Sequence, residues 1–244
     1  MVHKLAVVAF TGLVVSAVAM GAAAAIGANE FKDSFDGMDF SMFGDRPRCE
    51  KASDATATSR ILEWDGSDEV SLNVPGRARY TPNGDKELRV SGDPDLVAHV
   101  RVRDGRIELN CRGRGWGDQA LEITLPGLPM KEFGIAGSGK LELNNLDQND
   151  LRVSIAGSGS ITASGKVQDV EISIKGSGDA DLGKVQAGDA KVEIFGSGNA
   201  DIAPRDEVEV HIAGSGDVNL HTTPRNVETH IMGSGRIHNV GSGI

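Results

Sequence analysis

The sequence predicts an all-β protein built as a parallel β-helix (β-solenoid), with coils of about 19 residues and a less regular β region before them. Three observations predict this fold. A Gly-Ser-Gly triplet recurs at nearly constant spacing, apolar and polar residues alternate on both sides of each triplet, and no segment after residue 30 has a convincing helical period.

The first 28 residues have the composition of an export segment. Residues 5–28, LAVVAFTGLVVSAVAMGAAAAIGA, carry no charge and follow Lys4. A short basic start, an apolar run and a small-residue end are typical of a secretory signal peptide. The run is also long enough to span a bilayer, so an uncleaved N-terminal membrane anchor is the alternative. In both cases we expect an exported protein, in the periplasm or on the outer surface of a bacterium, that meets a membrane only through residues 5–28 if they are retained.

Residues 29–59 have no sustained period and are predicted to form an irregular linker. They contain Cys49, and the second of the two cysteines in the sequence is Cys111. An even number of cysteines in an exported chain predicts a disulfide between them, with two unpaired thiols as the alternative.

Residues 60–244 are predicted to form the β-solenoid domain. Its first part holds short alternating runs such as EVSLNV, RARYT, ELRVSG and RIELNC, which are separated by turn residues. The dipeptide DG between RVR and RIEL predicts a hairpin. We expect these strands to stack below the first triplet as less regular rungs that shield the open sheet edge at that end.

The triplet repeat begins near residue 133, and its successive first glycines lie 18 to 20 residues apart. An isoleucine stands two residues before the first glycine in all six units. The period of two on each side of the triplet predicts one strand that enters a corner and a second that leaves it. Stacked coils then place like residues on like, about 4.8 Å apart.

Glycine suits such a corner because it tolerates positive φ and has no Cβ, so that the same tight turn fits in every coil. We therefore interpret the triplets as structural. The predicted corner glycines are Gly137, Gly139, Gly157, Gly159, Gly176, Gly178, Gly196, Gly198, Gly214, Gly216, Gly233 and Gly235.

About residues 60–240 resemble a known family. The segments ILEWDGSDEVSLNV, ELRVSGDPDLVAHVRVRDGRIEL and LEITLPGLPMKEFGIAGSG, in this order and leading into the triplets, are similar to the head GIN domain family of putative auto-transporter adhesins. The resemblance implies a right-handed β-solenoid on an exported protein, with an adhesive role and no assigned enzymatic activity. It brings no defined binding residues to carry over.

Acidic and amide residues form two columns just after the corners. Calcium takes six to eight oxygen ligands, and calcium-binding β-rolls repeat a G-G-x-G-x-D motif every nine residues. Here the period is about twice as long and each coil supplies few ligands, so we predict a solvated polar face and no metal site, with a calcium column as the alternative. The residues of that column are Asp179, Asp181, Asn199, Asp201, Asp217 and Asn219.

Other polar motifs do not predict catalysis. His211 and His230 occupy one column and are expected to be exposed neighbours without a third metal ligand. The stretch RGRGWGD at 112–118 is interpreted as a glycine-rich turn, with a grip on an anionic ligand as the alternative. The triplet serines have no base in a plausible column, and no phosphate-binding loop precedes a helix. We predict no enzyme and no cofactor.

The formal net charge of -10 and the lack of a basic stripe exclude nucleic acid as the expected partner. The sequence favours an exported, non-catalytic binding module, adhesin-like or scaffolding, of the cell envelope or surface. Its expected partners are a polysaccharide or an envelope or surface protein. A self-associating structural protein that forms a homo-oligomer is the alternative, and a polysaccharide-active enzyme is the more remote one.

Overall fold

A computed structural model describes residues 57–111 and 121–241. The predicted signal peptide or anchor (1–28), most of the predicted linker, Cys49 and the 112–118 stretch lie outside the described residues. Within the described ranges, no helix is both long enough and apolar enough to cross a membrane.

Most described residues lie in strands. The strands are β1 (Ser59–Leu62), β2 (Glu69–Asn73), β3 (Arg77–Tyr80), β4 (Leu88–Gly92), β5 (Val100–Arg103), β6 (Arg106–Leu109), β7 (Leu121–Thr124), β8 (Glu132–Gly137), β9 (Lys140–Gly157), β10 (Ser160–Gly176), β11 (Asp179–Gly196), β12 (Asn199–Pro204), β13 (Glu207–Gly214), β14 (Asp217–Leu220), β15 (Asn226–Gly233) and β16 (Arg236–Asn239). One turn of helix, α1 (Pro94–Val97), begins after Asp93, whose side chain accepts a hydrogen bond from the N–H of Asp95.

The strands from β8 onward stack as parallel rungs of a β-solenoid of about 5 turns, and the predicted fold class is confirmed. The pairing register joins the predicted isoleucine column from rung to rung. Its members are Ile135, Ile155, Ile174, Ile194, Ile212 and Ile231. Each rung from β8 onward therefore presents an isoleucine at the same position before the corner.

The core is a narrow stack of aliphatic ladders. Ile174 and Ile194 are fully buried, and no buried polar or charged side chain occurs in the described parts of the chain. Burying each such side chain is worth about 1.5–3 kcal/mol. The larger aromatics lie at the N-terminal end, where the ring centroids of Tyr80 and Phe133 are 4.9 Å apart. The Tyr80 hydroxyl donates to the carbonyl of Leu128 at 2.7 Å.

The N-terminal strands form rungs below the first triplet, but their order in space differs from their order in the chain. Strand β2 pairs in parallel with both β6 and β8, and β3 pairs in parallel with both β7 and β9. The β2–β3 rung therefore lies between the β6–β7 rung and the β8–β9 rung. Its corner is formed by residues 74–76, Val-Pro-Gly, in place of the triplet.

Antiparallel strands close this end of the solenoid. Strand β5 pairs antiparallel with β6, β4 pairs antiparallel with β7, and β1 covers β4 in the same manner. Arg60 ties β1 to the end of α1, because its guanidinium donates to the carbonyls of Val97 and Ala98 at 3.1 Å. The change from parallel to antiparallel pairing ends the regular stack.

Candidate functional site

A groove runs along one flank of the solenoid, beside the start of the strand segments that lead into the corners. Its volume is about 500 Å³. Three successive rungs supply its floor with Leu151, Val170 and Ala190, whose side chains are nearly buried. The site is thus built from equivalent positions of stacked coils.

Charged columns flank this floor on both sides. One column comes directly before the floor residues in the sequence, and its members pair in register from rung to rung. It consists of Asp150, Asp169, Asp189 and Glu207. The other column follows the floor residues and alternates in sign over most of its length. It consists of Glu132, Arg152, Glu171, Lys191 and Glu209.

Arg152 stands at the centre of the alternating column. Its guanidinium lies 3.0 Å from a carboxylate oxygen of Glu171 and 3.3 Å from one of Glu132. The hydrogen bond to Glu171 is the main cause that raises the pKa of Arg152, although burial acts in the opposite direction. The ion pairs are half exposed, so they order the groove more than they stabilise the fold.

The groove is acidic overall. Its lining holds seven carboxylates, and only Lys131, Arg152 and Lys191 carry positive charge, which leaves a formal charge of -4. The alternating column continues below the groove to Glu69, which pairs in register with Glu132. Burial, and then repulsion by Glu132, raise the pKa of Glu69.

The predicted corner glycines lie between strands at six successive corners. At Gly157 φ is +128°, and the N–H of Ser158 donates to the carbonyl of Gly137 one rung below at 2.9 Å. A Cβ on Gly178 would overlap the Cγ2 methyl of Ile155. The first glycine of a triplet thus turns the chain, and the second leaves room for the isoleucine ladder.

The two predicted columns of acidic and amide residues form hydrogen-bonded ladders along the solenoid axis. The Asn199 amide donates to Asp179 at 2.9 Å, and the Asn219 amide donates to Asp201 at 3.1 Å. The N–H of Asp217 donates in turn to Asn199 at 3.1 Å. The remaining member, Asp181, accepts from the N–H of Gly183. In the part of the chain that the structure describes, no group of three or more His, Cys, Asp or Glu side chains has the arrangement of a metal site.

The two stacked histidines are neighbours on successive rungs. The ring centroids of His211 and His230 lie 4.9 Å apart. Each Nε2 lies close to a carboxylate oxygen of its own strand, at 2.6 Å for Glu209 and 3.1 Å for Glu228. These contacts engage the Nε2 of each ring with a glutamate, and Glu209 and Glu228 pair in register on the two rungs.

Cys111 lies at the end of the hairpin β5–β6 and is 6% exposed. Its predicted partner, Cys49, lies outside the described residues. The disulfide between them therefore stays a prediction.

A comparison with known families decides the classification. The model of the family described as "Putative auto-transporter adhesin, head GIN domain" matches residues 67–224. The chain belongs to this family. The match spans the charged groove and the first five triplets. No curated protein matches the chain.

The chain is also similar to solved structures. A crystal structure of a putative adhesin from Bacteroides fragilis superposes with a TM-score of 0.59 at 17% identity, covering 75% of this chain and 96% of that one. A putative lipid binding protein from Parabacteroides distasonis gives a TM-score of 0.47 at 21% identity, covering 75% and 96%. A putative adhesin from Parabacteroides merdae gives 0.46 at 16% identity, covering 75% and 95%. The first of these supports the fold, and identities at this level carry no site residues across.

The groove residues of this GIN domain were missed by sequence reasoning, although a signal was present. Seven residues before the first glycine of successive triplets stand Asp150, Asp169, Asp189 and Glu207. These columns before the corner look like ordinary exposed strand positions, and only the stacking of successive rungs places them around one row of floor residues.

Proposed function

We propose that this head GIN domain protein is an exported, non-catalytic binding module of the bacterial envelope or surface, and that it holds a polysaccharide in the charged groove. One observation carries the proposal: equivalent side chains from successive rungs line a groove of about 500 Å³. Its acidic column offers a carboxylate acceptor on each successive rung, at a spacing of about 4.8 Å. A regular polymer suits a regular row of contacts, and the adhesin names of the family agree with a binding role.

The charge of the groove selects the class of polysaccharide. Carboxylates accept hydrogen bonds from hydroxyl and ammonium groups, and they repel phosphate and sulfate. With seven carboxylates against three cations, the groove favours a neutral polymer or one that carries amino groups. Strongly anionic polymers are disfavoured for the same reason that nucleic acid is.

The affinity of a single groove is expected to be modest. None of the groove's described lining residues is aromatic, so stacking on a sugar ring does not contribute there. Exposed polar contacts add little individually because water competes for the same groups. Useful retention at a surface then depends on several protein molecules binding one polymer.

The ion-pair arrangement supports binding rather than catalysis. The Arg152 guanidinium bonds to Glu132 and to Glu171 at once, so neither carboxylate is held apart as a proton donor. The half-exposed groove also leaves water in contact with these groups, which weakens electrostatic stabilisation of a transition state.

The proposal is tested by binding measurements on the exported full chain with neutral, amino-containing and anionic polysaccharides. We expect saturable binding to one of the first two classes. Asp169→Lys reverses a charge in the middle of the groove and is expected to weaken that binding about tenfold or more. Asp85→Lys, an exposed acid in the loop before β4, is the matched control and leaves binding unchanged.

Two results would overturn the proposal. Equal binding by the wild type and by Asp169→Lys would show that the groove is not the binding site. A lack of binding to every polymer would likewise contradict the proposed role of the groove. New sugar chain ends released during incubation would contradict the non-catalytic role and favour a polysaccharide-active enzyme.

A further inference from the structure

The C-terminal end of the described solenoid is an open rung. All eight residues of β15 are exposed, whereas the rung below it is covered. Val227 is 47% exposed and Ile231 is 41% exposed, although their counterparts Val208 and Ile212 are 0% and 1% exposed. Among the described strands, β15 pairs only with β13. Within residues 57–111 and 121–241, no antiparallel strand covers this rung in the way that β4 and β5 cover the other end.

The free edge of β15 is a continuous row of backbone groups. Its register against β13 is unbroken from Asn226 to Gly233. The N–H groups of Asn226 and Ser234 donate to carbonyls of the preceding rung, at 3.0 and 2.9 Å. Because these groups alternate in direction along a strand, Val227, Thr229 and Ile231 direct theirs to the open edge. Strand edges of this kind are templates for pairing with another chain.

The sequence of β15 is complementary to itself when it is read antiparallel. In a register centred on Thr229, Val227 of one copy faces Ile231 of the other on the core side. On the solvent side, Glu228 faces His230. The Val227–Ile231 pair and the Glu228–His230 pair then each occur twice, and the outward N–H and C=O groups of residues 227, 229 and 231 meet their counterparts.

Neighbouring registers lose this match. Centring the pair on Glu228 brings the two Glu228 carboxylates together, and centring it on His230 brings the two imidazoles together. A register shifted by one residue places the core-side residues of one copy opposite the solvent-side residues of the other, so the apolar and polar faces of the two strands no longer match. Of these registers, the one centred on Thr229 therefore pairs the polar side chains, brings the apolar side chains into contact and allows the backbone hydrogen bonds at the same time.

We propose that two copies of this chain dock through the free edges of β15, antiparallel and related by a two-fold axis at Thr229. The contact is isologous, so it closes with two copies and does not propagate. It joins the solenoids end to end and continues the apolar ladders across the interface. This interface is independent of what the groove binds, and it gives each assembly two grooves for one polymer.

The test is sedimentation velocity on the exported full chain across a wide range of concentration. We expect a monomer–dimer equilibrium. His230→Glu places two carboxylates opposite each other, and Glu228→Arg removes the carboxylate that faces the imidazole of His230. Each variant is expected to weaken the dimer about tenfold, since two symmetric cross-strand pairs are affected. The double variant Glu228→Arg/His230→Glu restores opposite charges and restores dimerisation. Glu87→Arg, an exposed residue at the other end, is the control and changes nothing.

A second variant separates the edge from the side chains. Thr229→Pro removes an N–H that points to the open edge and leaves the hydrogen bonds to β13 in place, so it abolishes the dimer while the monomer stays folded. A monomer at all concentrations overturns the proposal. A dimer that ignores all of these variants overturns the assigned surface, and an open-ended series of larger species overturns the two-fold arrangement in favour of head-to-tail stacking.

Discussion

Gly214 lies directly over the carbonyl oxygen of Gly196, so close that a Cβ on Gly214 would overlap that oxygen. The same approach recurs at each corner where one triplet stacks on another. Stacking without a gap at the corners is what lets the strands on either side keep one register over successive rungs.

We expect Gly214→Ala to destabilise the protein more than Gly137→Ala does. Both glycines have positive φ, +143° and +114°, which costs an alanine about 1–2 kcal/mol. Only Gly214 also meets a rung below it, because nothing lies within 4 Å of a Cβ on Gly137. The steric overlap adds about 1–3 kcal/mol. Urea unfolding of the two variants measures the difference, and equal losses would contradict close stacking at the corners.

Ile194→Asp should abolish folding. Ile194 is fully buried between Ile174 and Ile212, so the substitution places an unpaired charge inside the ladder. Ile231→Asp occupies the same column at the open end and is expected to cost the monomer only about 1 kcal/mol. Circular dichroism during heating compares them. An unchanged melting temperature for Ile194→Asp would be incompatible with the ladder.

Lys175 makes the stability depend on alkaline pH. Burial lowers the pKa of Lys175 from 10.5 to about 8, against the opposing effect of Glu193, and its ammonium lies 5.9 Å from the ring centroid of Phe195. Between pH 8 and 10.5 the unfolded chain keeps a proton that the folded chain has lost, so the free energy of unfolding rises with pH across this window.

Replacing Lys175 isolates this contribution. Lys175→Met is expected to be more stable than the wild type at pH 7 and to lose the rise between pH 8 and 10.5. Lys184→Met, at an exposed position of β11, keeps the rise. Urea unfolding at several pH values distinguishes the two variants, and parallel pH curves for the wild type and Lys175→Met would disprove this source of the pH dependence.

Calcium is expected to leave the melting temperature unchanged, whether it is added in excess or removed with a chelator. The carboxylates of Asp179 and Asp201 already accept hydrogen bonds from the amides of Asn199 and Asn219. A bound ion would have to displace these contacts and still find six or more oxygens. A melting temperature that rises with calcium in the wild type, and does not rise in Asp201→Asn, would instead establish the calcium column.

Reduction is expected to destabilise the exported protein by about 2–4 kcal/mol, because the predicted disulfide between Cys49 and Cys111 restricts the unfolded chain. Thiol titration of the unfolded, unreduced protein should detect no free thiol. A titre of two thiols per chain would favour the unpaired alternative. Cys111→Ser should reproduce the loss of stability without any reductant.

The solenoid could be predicted because its determinants are local and repeated. A triplet every 18 to 20 residues and an isoleucine two positions before it specify the corner, the core face and the register together. The observed column from Ile135 to Ile231 is the predicted one. Each coil repeats the same information, so no single ambiguous residue decides the fold.

The order of the N-terminal rungs could not be predicted in this way. The β2–β3 rung turns at Val-Pro-Gly, not at a triplet, and the β6 and β7 strands approach it from elsewhere in the chain. The sequence around Val70 and Ala78 does not indicate that Phe133 and Leu141 lie on the adjacent rung. Pairing of this kind depends on long-range packing of the whole end, including the Tyr80 and Phe133 rings.

The groove and the open edge were out of reach for a different reason. Asp169 and Glu171 look like two exposed strand residues, and only the stacking of successive rungs makes them part of one groove around Val170. Likewise, the repeat pattern predicts that Val227 is a core residue, although no described rung covers it. Both features depend on how neighbouring rungs cover one another, and the repeat pattern of the sequence does not specify this.

The proposed binding role depends most on export, because only outside the cytoplasm does the groove meet envelope or surface polysaccharide. The direct measurement is fractionation of the bacterium that makes the protein, with protease treatment of intact cells and N-terminal sequencing of the recovered chain. We predict that the protein is recovered from the periplasm or the outer surface. Cleavage by protease added to intact cells would indicate that it lies on the surface. Recovery of an intact, protease-protected chain from the cytoplasmic fraction would contradict the account.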